Sequence, residues 1–99
     1  MVDAATVDLP VDYKNLSAGE RKIIRDRYVV AQKGKCMHCG KSLSFKPPAK
    51  IRRLAIRWEA FPPNFLKFPV HLQHDHDTGL TEGAVHAYCN AVLWQYHGR

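Results

Sequence analysis

The chain has 99 residues, 45% of them hydrophobic, and a formal charge of +6 from 15 Lys and Arg against 9 Asp and Glu. That length excludes two independent cores, no apolar run is long enough to cross a bilayer, and the basic balance favours a polyanionic partner without naming it. Three cysteines, two of them in "CMHC", argue against a disulfide framework and predict thiolates held for metal in a reduced, cytoplasmic setting.

In chain order, residues 1–16 read as an N-terminal tail, and "MVDAATVDLP" has neither the basic start nor the continuous apolar run of a secretory leader. "NLSAGERKIIRDRYVVAQKGKC" carries the clearest helix signal, predicted over 17–33. Ser17 can cap the first turn, and Glu20, three residues on, can return the bond. Ile23, Ile24, Tyr28 and Ala31 then share one face, with Arg21, Lys22, Arg25 and Arg27 largely elsewhere, and Gly34 stops the helix ahead of Cys36.

Residues 41–69 form an insertion broken by "KPPAK", "FPPN" and "KFPV". Within it "RRLAIRWEA" alternates, Leu54, Ile56 and Trp58 against Arg53, Ala55 and Arg57, which predicts a short strand. This arm is expected to lay Phe45, Trp58, Phe61, Phe65 and Phe68 on the main body and to show Lys46, Lys50, Arg52, Arg53 and Arg57 to solvent. "FPVHLQH" predicts a strand with Val70 and Leu72 on one face and His71 and Gln73 on the other. "DTG" turns the chain at Gly79, "LTEGAVH" returns as the antiparallel partner, and "YCNAVLWQYH" predicts a helix burying Val92, Leu93 and Tyr96 and leaving Trp94 exposed. Strand, turn, strand and helix over 68–97 make the chain, 1–99, one α+β domain.

The chemistry concentrates in "HLQHDHDTGLTEGAVHAYCN", which holds four of the six histidines and one of the three cysteines. Cys36-x-x-Cys39 and His86-x-x-Cys89 are two pairs whose matching gaps let both members of each turn onto one ion. Three thiolates and an imidazole suit Zn²⁺, and four protein ligands leave no open position, so the site is structural. His38 is an alternative fourth ligand, although a residue inside a C-x-x-C loop normally points away from the ion.

His71, Gln73, His74, Asp75, His76 and Asn90 are left over beside that site. With these residues in place the segment resembles the core of HNH nucleases of the ββα-metal superfamily, closest to the phage recombination endonuclease VII group. That group shows C-x-x-C, then D-H-D-H-x-x-G, then R-G-x-x-C-x-x-C-N. The resemblance covers Cys36 to Cys39 and His71 to about Leu93, preceded by a helix. It implies a small zinc-stabilised ββα-metal domain with the inserted basic and aromatic arm.

Position by position, the resemblance makes His74 the general base, His76 a second catalytic histidine on phosphate, and Asn90 a ligand of a catalytic Mg²⁺ or Mn²⁺. Two positions depart from the pattern: Gln73 stands where the family has an aspartate metal ligand, and Glu82 where it has an arginine. A neutral amide at Gln73 predicts weaker divalent binding unless Asp75 or Asp77 assists. A regular strand would also put Gln73 and His74 on opposite faces, so a shared site requires the strand to end or bulge there.

The function implied is a metal-dependent endonuclease cutting DNA, double-stranded by expectation, by nicking or by double-strand cleavage, with Arg52, Arg53, Arg57 and Arg99 on the phosphates. A zinc-stabilised nucleic-acid-binding module with a weakened centre is the alternative that Gln73 and Glu82 suggest. A branched-DNA resolvase is the third, ranked lower because little chain follows the last helix to hold a dimer. Monomer and homodimer both stay open, and a phage origin is only what the resemblance implies.

Overall fold

The computed structural model describes residues 3–98, so Arg99 lies outside the described residues. Its elements are a 3-10 turn at Tyr13–Asn15, helix α1 at Ala18–Ala31, a single helical turn α2 at Ala49–Arg52 and a 3-10 turn at Trp58–Ala60. Strands β1 at Val70–His74 and β2 at Thr81–His86 and helix α3 at Ala87–His97 follow. The result is a small mixed α/β fold on a two-stranded antiparallel sheet. Among the described residues no helix is long and apolar enough to cross a membrane.

α1 forms because its first turn is closed by side chains. Ser17 Oγ accepts from the Glu20 amide at 3.1 Å, and the Glu20 carboxylate accepts from the Ser17 amide at 2.8 Å. The two bonds satisfy two of the donors that a helix start leaves orphaned, worth about 1 kcal/mol for the cap. The helix runs two residues short of the expected 33, because Lys33 and Gly34 turn left-handed at φ 56° and 74°.

The buried face of α1 also differs from the apolar pattern. Ile24 is fully buried and Tyr28 half-buried, but Ile23 and Ala31 are exposed. The packing stripe follows Ile24, Tyr28 and the capping Gln32, four residues apart, and polar members of it bond the sheet. The Tyr28 hydroxyl sits 2.9 Å from Thr81 Oγ1, while Gln32 accepts from the Ala84 amide and donates to the Ala84 carbonyl, both at 2.9 Å. Arg27 donates to the Ala4 and Val7 carbonyls at 3.0 and 2.7 Å.

Those last bonds belong to a segment expected as a tail that is instead part of the packing. Ala4, Leu16 and Ile24 form one buried cluster, with Val7, Leu9 and Val11 against it. Val11 and Thr81 exchange two hydrogen bonds, and the Tyr13 amide donates to the Gly79 carbonyl at 2.9 Å, so the segment is laced to the turn between the strands. A second, larger cluster gathers Leu43, Ile51, Ala84, Val85, Val92 and Leu93 around Cys36 and Cys89.

The strand expected in "RRLAIRWEA" is absent. Pro47 and Pro48 start α2 there, with the Ile51 amide on the Pro48 carbonyl at 2.9 Å. The following backbone is served by α3 and not by another strand. The Arg57 amide donates to the Gln95 side chain, and Gln95 and Tyr96 both donate to the Ala55 carbonyl. That task also explains why Tyr96, expected in the core, is half exposed. Val92 and Leu93 are buried and Trp94 exposed, as expected. Phe45 and Phe68 project into solvent, but Trp58 packs edge-on against Tyr88 at 5.5 Å and Phe61 against Trp94 at 5.2 Å.

Candidate functional site

The Cys-x-x-Cys turn follows α1 directly. The Cys36 amide donates to the Lys41 carbonyl at 2.8 Å, the Gly40 amide to Cys36 at 3.0 Å, and a Lys35–Ser42 bridge closes the base. His86 ends β2 and caps α3, and Cys89 lies in the first turn of that helix. The ligand atoms of Cys36, Cys39, His86 and Cys89 all lie within 4.8 Å of one another, and His38 is not among them. Its ring tilts against His97 at 5.9 Å instead.

This group fits zinc on more than composition. His86 Nδ1 lies 3.4 Å from Cys39 Sγ and 3.7 Å from Cys89 Sγ. A tetrahedron with Zn–S near 2.3 Å and Zn–N near 2.0 Å has edges of roughly 3.5–3.8 Å. His86 Nε2 faces two carbonyl oxygens, Ser42 and Phe45, each at 2.9 Å. Carbonyls only accept, so Nε2 carries the proton and Nδ1 turns its lone pair to the sulfurs, as a metal-bound imidazole requires.

The three thiols are electrostatically coupled. Cys36 is held low, to about 4, first by the hydrogen bond from Cys89, against its burial, and then by backbone hydrogen bonds at Cys39, His86 and His38. Cys39 is pushed up above all by burial, and Cys89 above all by the hydrogen bond it shares with Cys36. Sulfurs this close oppose one another's ionisation, and a divalent ion would offset that repulsion.

The leftover residues meet in a cleft of about 610 Å³ between α1, the arm, β1 and the start of α3. His71, Gln73, His74, His76 and Asn90 all line it. The sheet is bulged beside them: Gln73 pairs with Gly83 and His74, the last residue of β1, with Thr81, leaving Glu82 as the extra residue. The strand ends and the pairing shifts at the position where the sequence required an irregularity.

Within the cleft the His74 ring stacks on Tyr13 at 4.0 Å and tilts against His76 at 4.8 Å. Asn90 Nδ2 donates to His71 Nδ1 at 3.0 Å, as the amide is oriented. Burial above all lowers the His74 pKa, helped by the charges of His76 and Arg21 and opposed by Glu82 and Asp75. Burial likewise lowers that of His71, against backbone hydrogen bonding at Phe65 and Phe68. Both imidazoles are therefore neutral at pH 7.

Gln73 is 1% exposed, and its amide nitrogen donates to the His74 carbonyl at 3.0 Å and to Glu82 at 3.4 Å. Its amide oxygen and that of Asn90 are hard donors of the type Mg²⁺ and Mn²⁺ take, but they bring no charge. Asp75 is not in the lining: its Oδ1 accepts from the Asp77 and Thr78 amides at 2.7 and 3.1 Å, which shapes the turn. Nor does Asp77 line the cleft.

The cations are also redistributed. Arg52, Arg53 and Arg57 are exposed but do not line the cleft; Arg52 folds onto the Pro47 carbonyl at 3.0 Å and Arg57 pairs with Glu59 at 3.6 Å. Arg21, Lys22 and Arg25 of α1 line it instead. Tyr13, His71 and these three were not assigned from the sequence. The spacing of the cations on one helical turn was visible, but which way α1 faces was not.

Fold and site together define a small mixed α/β protein with a two-stranded sheet and a Cys₃His group able to bind zinc. No protein-family profile, curated protein or solved structure matches this chain.

Proposed function

We propose that the chain is an HNH-type, ββα-metal endonuclease that hydrolyses DNA phosphodiester bonds, with His74 as general base. The observation that carries this reading is the convergence of His74, His76 and Asn90 with Arg21, Lys22 and Arg25 in one cleft, on a strand–strand–helix unit joined to α1 through the Cys₃His group. A neutral His74, its ring held against Tyr13, takes a proton from water, and the water oxygen forms a bond to phosphorus as the bond to the 3′ oxygen breaks. Solvent protonates the departing 3′ oxygen, leaving a 3′-hydroxyl and a 5′-phosphate. His76 and the α1 cations hold the phosphate oxygens.

Gln73 and Asn90 would hold the divalent metal. A bound Mg²⁺ or Mn²⁺ supplies positive charge to the scissile phosphate and the leaving oxygen. Because both donors are neutral amides, the nucleic-acid phosphate has to complete the charge of the site, so the metal and DNA are expected to bind together.

Supercoiled plasmid incubated with Mg²⁺ or Mn²⁺ tests the proposal. The chain is expected to nick it, and His74→Ala to lower the rate about 10²- to 10⁴-fold, the range typical of a general base. Nicking no faster than the His74→Ala variant, with salt-sensitive binding intact, would leave the second reading: a zinc-stabilised DNA-binding module. That reading is favoured by one observation, the Gln73 amide turned to Glu82 in place of a carboxylate at that position.

A further inference from the structure

The cleft has two unlike walls. One is basic: Arg21 and Lys22, and Arg25 one turn on, along α1. Arg21 is fixed there, its guanidinium 3.9 Å over the Tyr13 ring and one nitrogen donating to the Tyr13 carbonyl at 3.2 Å. Its Nε is buried and has no acceptor among the described residues. Asp26 pairs with Lys22 at 3.3 Å and Arg25 at 3.7 Å, which reduces but does not cancel the charge of this wall.

The other wall is aromatic. Trp94, one helical turn beyond Asn90, meets Phe61 at 5.2 Å; Phe61 meets Phe65 at 4.7 Å; and Phe65 meets His71 edge-on at 4.7 Å. The row thus runs from solvent, where Trp94 is 44% exposed, to the histidine that Asn90 contacts. Phe68 adds an exposed ring to the same lining.

An intact duplex offers an approaching protein phosphates and groove edges, with its base faces stacked inside, so an aromatic wall finds nothing to cover. An unpaired strand offers both phosphates for the helix wall and base faces for the aromatic one. A cleft of about 610 Å³ is also of the size that encloses a nucleotide-sized group. We infer that the cleft takes an unpaired DNA strand, its backbone along α1 and its bases on the Trp94–Phe61–Phe65 row. The inference rests on the nuclease reading only for the kind of polymer. It makes single strands and the single-stranded parts of flaps or gaps the substrate class, in place of the duplex that the sequence suggested.

The test is fluorescence anisotropy on the zinc-loaded His74→Ala chain without added Mg²⁺, using a labelled 12-nucleotide oligothymidylate and a 12-base-pair duplex. The single strand is expected to bind about tenfold tighter or better. Trp94→Ala and Phe68→Ser, both on exposed rings, should each weaken single-strand binding several-fold while duplex binding changes less than twofold, and Trp94→Phe should recover most of the loss. Circular dichroism and zinc content establish that each variant is folded. Duplex binding as tight as single-strand binding, or exposed-ring variants that change nothing, would overturn the inference. Cleavage is read separately, on the plasmid and on the labelled single strand with Mg²⁺ and the unsubstituted chain: cleavage of either without any single-strand preference in binding removes this inference and leaves the enzyme, whereas single-strand binding with neither substrate cut removes the enzyme and leaves this inference.

Discussion

Cys89 and Asn90 are neighbours in one helical turn, yet they belong to opposite kinds of site. Cys89 is fully buried in a group where His86 has its outer nitrogen tied to two carbonyls and its inner one turned to sulfur. Asn90, about 100° round the helix, opens onto a cleft of imidazoles, cationic side chains and exposed rings. The clamp is complete in itself once a cation is present; the cleft is complete only with something else in it. One stretch of twenty residues serves both because strand and helix geometry send adjacent side chains to different places.

The largest way to break that contrast is to remove the clamp. Cys89→Ser should abolish stoichiometric zinc and the cooperative thermal transition together, since structural zinc contributes about 10–16 kcal/mol of binding free energy that is also folding free energy. Zinc analysis with a circular-dichroism melt reads both. His74→Ala should do the reverse, keeping zinc and the melting temperature while nicking is lost.

Gly83 tests the join between the two regions. A Cβ there would stand 2.7 Å from Met37 Sδ and 2.8 Å from Gln32 Oε1, pressing on the Cys-x-x-Cys turn and on α1 at once. Gly83→Ala is expected to cost about 1–3 kcal/mol in a denaturant titration. A smaller contrast separates the two groups of cations. Arg25→Ala should weaken DNA binding a few-fold and lower the slope of log affinity against log salt by about 1, whereas Arg53→Ala should leave both nearly unchanged.

The smallest effect concerns pH. His71 and His74 are lowered in the folded chain, so below about pH 6.5 the unfolded chain binds more protons and stability falls with pH. This contribution is fully present above the unfolded value and is lost as the pH drops toward the folded ones. The melting temperature of the zinc-loaded chain should therefore decline from pH 7 to pH 5, and less steeply in His71→Gln. Equal slopes would remove His71 from the explanation.

What could be read from the sequence was whatever is written in spacing or in side-chain chemistry. The Cys and His pairs carry their ligand geometry with them, and Ser17 with Glu20 closes α1 through a three-residue interval. The bulge at Gln73 and His74 was legible only as a condition, since the extra residue sits across the sheet at Glu82. The arm misled because alternation from Arg53 to Trp58 looks the same whether a strand or the Gln95 and Tyr96 side chains take up its backbone. The facing of α1 was hidden for a related reason: the groups that turn it are polar ones, Tyr28, Arg27 and Gln32, whose partners lie far along the chain.

Gln32 has one more consequence. A two-stranded sheet offers its outer edges to any other extended chain, and at Ala84 that edge is already taken by an amide that donates and accepts as a third strand would. The Met37 amide reinforces it, donating to the same carbonyl at 3.0 Å. One side chain at the end of α1 therefore covers the sheet edge at Ala84, and Gln32→Ala is expected to open that edge to other chains, read as growing light scattering at high concentration.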